Sequence, residues 1–167
     1  MEREITAEQA ANAHPIELST SVEKSHSVSA NCIILNEAGE MLLLQRDVPG
    51  KRQLETPGGG QRKNESLKRT AVREAWEEIG GLEGIEIVAR VITTRYKKHG
   101  ERRRHVNFLA RIKYTELSPK QKMHKSIGFY PFDQLEQMEK TELAANVRQL
   151  LKARREGGLK LGKRDAV

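Results

Sequence analysis

The stretch from Pro57 to Gly81 constrains this 167-residue chain more than any other part of it. A short extended run, Gln53-Leu54-Glu55-Thr56, ends at Pro57, three glycines follow, and a helical pattern then begins. Leu67, Ala71, Val72, Ala75 and Ile79 recur at helical spacing, so one face of that helix must pack on a sheet. Asn64 predicts the N-cap, Glu65 in the first turn suits the positive end of the helix dipole, and Gly80-Gly81 predicts the stop. At about 100° per residue, Glu74, Glu77 and Glu78 fall within an arc of roughly 100° on one side. Carboxylates that close repel one another unless something positive lies between them, and hard oxygen ligands on a rigid element suit Mg²⁺ or Mn²⁺. On the acidic residues alone, a solvated face paired with Lys68, Arg69 and Arg73 is the commoner arrangement. The glycines shift that balance. Gly58, Gly59 and Gly60 sit between a predicted strand and a helix N-terminus, where a ligand can approach the main chain closely.

The length suits one domain with one core. With 37% hydrophobic and 32% charged residues there is enough apolar material for that core, and no apolar run approaches the roughly 18 residues that would span a bilayer. The N-terminal Met-Glu-Arg-Glu lacks the basic-then-apolar order of a secretory signal, so the expected location is cytoplasmic and no membrane partner is expected. Cys32, the only cysteine, lies in the apolar run Val28 to Leu35 and reads as a small buried side chain. A net charge of +7 favours anionic partners: a nucleotide, nucleic acid, or no specific partner at all.

Residues 1–26 are polar, lack a convincing apolar period and read as a flexible or edge arm, which could serve a homodimer contact. Residues 27–156 form the expected domain, and 157–167 a basic, unstructured tail. Val28–Leu35 and Met41–Gln45, separated by Asn36-Glu37-Ala38-Gly39, read as a hairpin. Two longer strands, from Ile85 to about Tyr96 and from Arg104 to about Tyr114, turn around His99-Gly100. A short strand at Ile127–Tyr130 precedes a helical repeat between Glu142 and Arg155. Strands and helices alternate without a regular βαβ period, which predicts an α/β fold with a mixed sheet flanked by helices.

At its spacing the acidic helix resembles the Nudix box: Gly, five residues, Glu, seven residues, Arg-Glu, an aliphatic residue, one residue, Glu-Glu, one residue, Gly and an aliphatic residue. Gly59, Glu65, Arg73, Glu74, Glu77, Glu78 and Gly80 match. Ala75 is a small version of the first aliphatic position, and Gly81 departs from the second, with Leu82 next to it. The resemblance implies an α/β/α sandwich and hydrolysis of a phosphoanhydride in a nucleoside diphosphate linked to another moiety. It implies that Glu74, Glu77 and Glu78 bind Mg²⁺ or Mn²⁺, that Glu78 or Glu77 polarises the attacking water, and that the Gly58 carbonyl adds a ligand. Glu65 and Arg73 would form a supporting salt bridge. In many members a further Glu precedes the last strand; here Lys120-Gln121-Lys122-Met123-His124-Lys125 carries none, which leaves the base open. Glu101 and Glu116 are candidates by loop position but more ordinary as surface residues, and His124 reads as a solvated loop histidine. Trp76 reads as packing.

Arg46 and Arg52, near the glycine loop in sequence, are the candidates for substrate phosphate contact. Arg95, Lys97, Lys98, Arg102, Arg103 and Arg104 cluster at the predicted turn and are equally readable as a phosphate-binding or a solvated hairpin end. A small nucleotide is the expected substrate; an RNA 5′-end pyrophosphohydrolase and a non-catalytic nucleotide- or RNA-binding module are the alternatives. The box alone does not choose the leaving group.

Overall fold

The computed structural model describes residues 28–159 and 161. The expected arm at 1–26 lies outside them, as do residue 160 and 162–167 of the expected tail. Seven strands and three helices follow in order: β1 Val28–Ile34, β2 Met41–Val48, β3 Lys51–Glu55, β4 Gly58–Gly60, α1 Leu67–Glu78, β5 Ile79–Lys98, β6 Glu101–Pro119, β7 His124–Tyr130, α2 Phe132–Gln137 and α3 Ala145–Arg155. One sheet has the order β4-β1-β6-β5 and the other β3-β2-β7. β1 runs parallel to β6 and antiparallel to β4, so the first sheet is mixed, as expected.

β1 explains why the sheet has helices on both sides. From Ala30 to Leu35 every residue is buried, the mark of a central strand covered on both faces. Ala30, Cys32 and Ile34 point into a cluster with Ala71, Val72, Ala75 and Ile79, the predicted apolar stripe of α1. Ile33 points the other way, into a cluster with Leu135 of α2 and Val147, Leu150 and Leu151 of α3. Leu159 is also buried there, so the chain just past Gly157 packs back on the core. The result is the α/β/α sandwich.

The expected β1–β2 hairpin is not formed. The two strands belong to different sheets and meet at one bridge, Leu35 to Met41. Both edges of β1 are taken by β4 and β6, so the tight turn at Gly39, φ 79°, reverses the chain but its pairing goes no further than the Leu35–Met41 bridge. The helix boundaries also differ. Ser66, not Asn64, caps α1, its Oγ accepting from the Arg69 N–H at 3.2 Å, while Asn64 sits at φ 62° in the loop. Glu65 therefore precedes the helix instead of occupying its first turn. At the other end Gly80 and Gly81 belong to β5, and Ile79 is already extended. A Cβ on Gly81 would lie 1.9 Å from the Glu116 carbonyl oxygen, so this glycine allows the close approach of β6 at a register shift. The β5–β6 turn matches expectation, with His99 and Gly100 both at positive φ as a two-residue hairpin loop requires.

Cys32 is fully buried and its Sγ approaches the Ala71 carbonyl at 3.5 Å. Burial, reinforced by the negative charge of Glu78, pushes its thiol up to about 12. A thiol-reactive dye is expected to leave the native protein unlabelled at pH 8 and to modify one thiol per chain in denaturant; fast native labelling would contradict this packing.

Candidate active site

The three glycines form the edge strand β4 on β1, and two of them admit side chains that a Cβ would displace. A Cβ on Gly59 would lie 2.5 Å from the Glu74 carboxyl carbon, and one on Gly58 would lie 2.0 Å from Asn31 Oδ1. The glycines thus let α1 bring its carboxylates onto the main chain of the strand. Gly58 N–H donates to Glu78 Oε2 at 2.9 Å. Gly59→Ala is expected to push Glu74 aside and reduce hydrolysis at least tenfold, read by steady-state kinetics beside a melting curve; unchanged turnover would show that Glu74 need not lie against the strand.

Arg73 holds the loop to the helix. It is 8% exposed and its guanidinium meets five acceptor atoms. Nε donates to Glu65 Oε1 at 2.7 Å, Nη2 to Glu65 Oε2 and the Gly60 carbonyl, both at 3.0 Å, and Nη1 to Glu74 Oε1 at 2.6 Å and Glu77 Oε2 at 3.3 Å. Glu65 also accepts from the Arg62 N–H and Thr70 Oγ1. Burial raises the Glu65 carboxyl, but these hydrogen bonds outweigh it and hold the group down at about 2. Glu77 is the most open of the helix carboxylates, at 37% side-chain exposure, and also pairs with Arg62 at 3.1 Å.

Glu78 stands in a different environment. It is 5% exposed, and burial drives its pKa up to about 8; the Gly58 hydrogen bond opposes this, and the charges of Glu74 and Glu55 add to it. Glu55 on β3 and His124 on β7 close the group. His124 Nε2 lies 2.7 Å from Glu55 Oε1, and one ligand atom from each of Glu55, Glu78 and His124 falls within 4.8 Å of the others. Burial of Glu55 is outweighed by its His124 and Arg46 contacts, so its carboxyl is held below the ordinary value.

Sequence reasoning passed over Glu55 and set aside His124, which is buried rather than solvated. Their meeting depends on β2 pairing with both β3 and β7, a long-range register with no local signal. The one available hint was that Glu55 lies three residues before the glycine run. Arg46 and Arg52 are not brought together. Arg46 Nε is shared between both oxygens of Glu55 at 3.0 Å, which puts it beside the site. Arg52 is 71% exposed and pairs with Asp47 near the β2–β3 turn. Glu101 pairs with Arg103 at the far hairpin, Glu116 lies along exposed β6, and Trp76 packs against the α1 cluster.

The donor set fits a hard divalent cation. Glu78, held protonated near neutrality chiefly by burial and further by the charges of Glu74 and Glu55, marks a site short of positive charge, and His124 Nδ1 is buried without a hydrogen-bond partner among the described residues.

Comparison with known proteins agrees with this fold. The family model for the Nudix domain matches residues 25–153, and the chain belongs to the Nudix family. A Nudix hydrolase from Nitrosomonas europaea has the same fold with a TM-score of 0.67 at 16% identity, covering 81% of this chain and 92% of that one. The MutT protein of Methanosarcina mazei Go1 gives 0.62 at 26% identity, with 82% and 99% covered. An Ap4A hydrolase of C. elegans, solved as a binary complex, gives 0.61 at 21%, with 78% and 96% covered. A search of curated proteins finds no match. By family and by these relatives, its enzyme class is pyrophosphohydrolase. No described helix is long and apolar enough to cross a membrane.

Proposed function

We propose that the chain hydrolyses a phosphoanhydride bond in a nucleoside diphosphate linked to another moiety, using Mg²⁺ or Mn²⁺. The observation that carries this reading is the buried Glu78, fixed to Gly58 and pressed by the charges of Glu74 and Glu55. Glu74, Glu77 and Glu78 would hold the cation, joined by the Gly58 carbonyl and by Glu55 from β3. A bound cation would neutralise phosphate oxygens and make the attacking water more acidic. The protein supplies the rest. Glu78 spends Oε2 on the Gly58 N–H, which leaves Oε1 to take the proton of the attacking water, with Glu77 the more exposed alternative. Water oxygen bonds to one phosphorus as the bridging P–O bond breaks, and the leaving phosphate takes the electron pair.

Glu65 and Arg73 keep the glycine loop and helix in register, and His124 fixes the orientation of Glu55. Arg46, already on Glu55, is the phosphate-contacting candidate nearer the carboxylates; Arg52 would meet only a more extended substrate. A Nudix domain of Shewanella oneidensis NrtR, 21% identical, was solved with ADP ribose, and the C. elegans relative is an Ap4A hydrolase. The run Leu54-Glu55-Thr56-Pro57-Gly58-Gly59-Gly60 resembles that of enzymes acting on nucleotide sugars more than that of enzymes cleaving dinucleoside tetraphosphates. We place the protein in the cytoplasm, acting on small nucleotides. The test is product release from nucleoside diphosphate sugars, dinucleoside polyphosphates, nucleoside triphosphates and 5′-triphosphorylated RNA, with Mg²⁺ or Mn²⁺ and with chelator. Turnover of a nucleotide sugar that chelator abolishes is the expected result. Turnover that survives chelation would overturn the metal assignment, and preference for triphosphorylated RNA the substrate assignment.

A further inference from the structure

The β5–β6 hairpin carries a cationic surface that the carboxylate site does not use. Arg95 lies opposite Arg104, and Lys97 opposite Arg102. Residues opposite one another in an antiparallel pair project to the same face, as do alternate residues along a strand. The four cations therefore share one face as two like-charge cross-strand pairs, an arrangement that weakens a sheet. All four are exposed, and none makes an ion pair among the described residues. Glu101, at the hairpin turn, is engaged by Arg103 at 3.3 Å. A fold that keeps uncompensated repulsion at this density is suited to an anion of high charge.

The surface is also shaped and placed. With Val28, Tyr96 and Arg103 the four cations line a cavity of about 720 Å³. Arg103, opposite Tyr96, alternates with Arg102 and Arg104 and so projects from the other face of the hairpin. There Tyr96 stacks on His105 with centroids 4.5 Å apart and planes 4° apart. Burial holds the His105 imidazole down at about 4, so it is neutral, and its Nδ1 shares a hydrogen bond with Ser29 Oγ at 2.6 Å. Arg104 alternates with Val106, which packs in the α1 cluster, so the cations extend the α1 side of the sheet. Val28 pairs with Arg104 on one side, and its carbonyl accepts from Gln61 N–H on the other. The patch thus begins two strand spacings, about 10 Å, from the glycine strand β4.

We propose that this face binds the phosphate backbone of a nucleic acid. Three of the four cations are arginines, whose planar forks match phosphate oxygens in a bidentate way. A protein partner would be expected to find an apolar or aromatic anchor at the centre of its contact. Here five of the seven lining residues are cationic, Val28 is the one aliphatic residue, and the ring of Tyr96 is already stacked on His105. This inference does not depend on the reading of the carboxylate site.

The experiment is fluorescence anisotropy of a labelled single-stranded RNA of about 12 nucleotides, titrated with the full chain over a range of salt concentrations. Four phosphate contacts give log K against log salt a slope near −3, at about −0.7 per contact. The combined variant Arg95→Ala, Lys97→Ala, Arg102→Ala and Arg104→Ala is expected to lose at least tenfold in affinity and most of that slope. Its melting temperature should not fall, because like-charge pairs are removed, and its hydrolysis of small nucleotides should be unchanged. Absence of RNA binding by the parent chain, or binding that the variant retains with the same slope, would overturn the proposal. Displacement by polyglutamate as effective as by unlabelled RNA would overturn the nucleic-acid assignment, and loss of small-nucleotide hydrolysis in the variant would overturn the separation of the two sites.

Discussion

Glu78→Gln is expected to abolish hydrolysis and, at the same time, to raise the melting temperature of the metal-free protein. Gln keeps an oxygen for the Gly58 N–H and nearly the same volume, but it can neither take a proton from water nor offer a negative charge to a cation. A loss of about 10³-fold or more in kcat is the scale for removing a group that acts on the reacting water. The stability gain follows from linkage. In the unfolded chain Glu78 ionises near its ordinary value of about 4.5; in the folded chain burial and the neighbouring carboxylates hold it at about 8. Below pH 4.5 both states are protonated and the group contributes no difference. As pH rises toward 8 the unfolded state ionises while the folded state does not, and folding becomes less favourable by about 1.4 kcal/mol per pH unit. At pH 7 the cost is on the order of 3 kcal/mol, which Gln escapes. The advantage of the variant should therefore be absent at pH 4 and grow toward pH 8. Saturating Mg²⁺ or Mn²⁺ should stabilise only the parent chain and narrow the gap. Calorimetry at three pH values with and without metal checks each step. A variant that is less stable than the parent at pH 8 without metal would show that Glu78 is not a repelled, protonated carboxyl.

Much of this site is local in sequence, which is why it was legible there. Gly58 to Glu78 form one continuous loop and helix, so the spacing of the carboxylates already fixes which of them share a face. The apolar stripe from Leu67 to Ile79 likewise specified the side of α1 that meets β1. What failed was whatever depends on distant pairing. The Gly39 turn signalled a reversal, yet the partner of β1 is β6, more than 70 residues away. His124 looked like a solvated loop residue because Lys120, Gln121, Lys122 and Lys125 surround it in sequence, with Met123 the one apolar neighbour. β2 and β7 place it against Glu55. Gly80 and Gly81 fitted a helix stop, but the crowding that requires Gly81 comes from Glu116 on another strand.

Arg73→Met tests the supporting half of the site and should be the most destabilising single change to it. Met replaces the aliphatic stem but leaves Glu65, Glu74 and Glu77 without the cation that separates them. Removing one partner of a buried ion network costs about 3 to 5 kcal/mol, because the remaining charges are left uncompensated. Arg73→Lys should recover part of this, since an ammonium can neutralise charge but cannot span Glu65, Glu74 and the Gly60 carbonyl at once. The pH dependence separates a specific ion pair from lost packing. Glu65 is held at about 2 in the folded chain against about 4.5 unfolded, so its contribution is fully present above pH 4.5 and is lost as pH falls toward 2. The parent chain should lose stability across that window, whereas Arg73→Met, lacking the interaction, should lose less, and the two curves should converge. A constant offset from pH 6 to pH 2 would mean that Arg73 acts through packing alone. If hydrolysis by the Met variant fell and the Lys variant restored it along with the melting temperature, the role of Arg73 would be to position the glycine loop. Activity that stayed low in a fully stable Lys variant would instead point to a direct contact of the guanidinium with substrate.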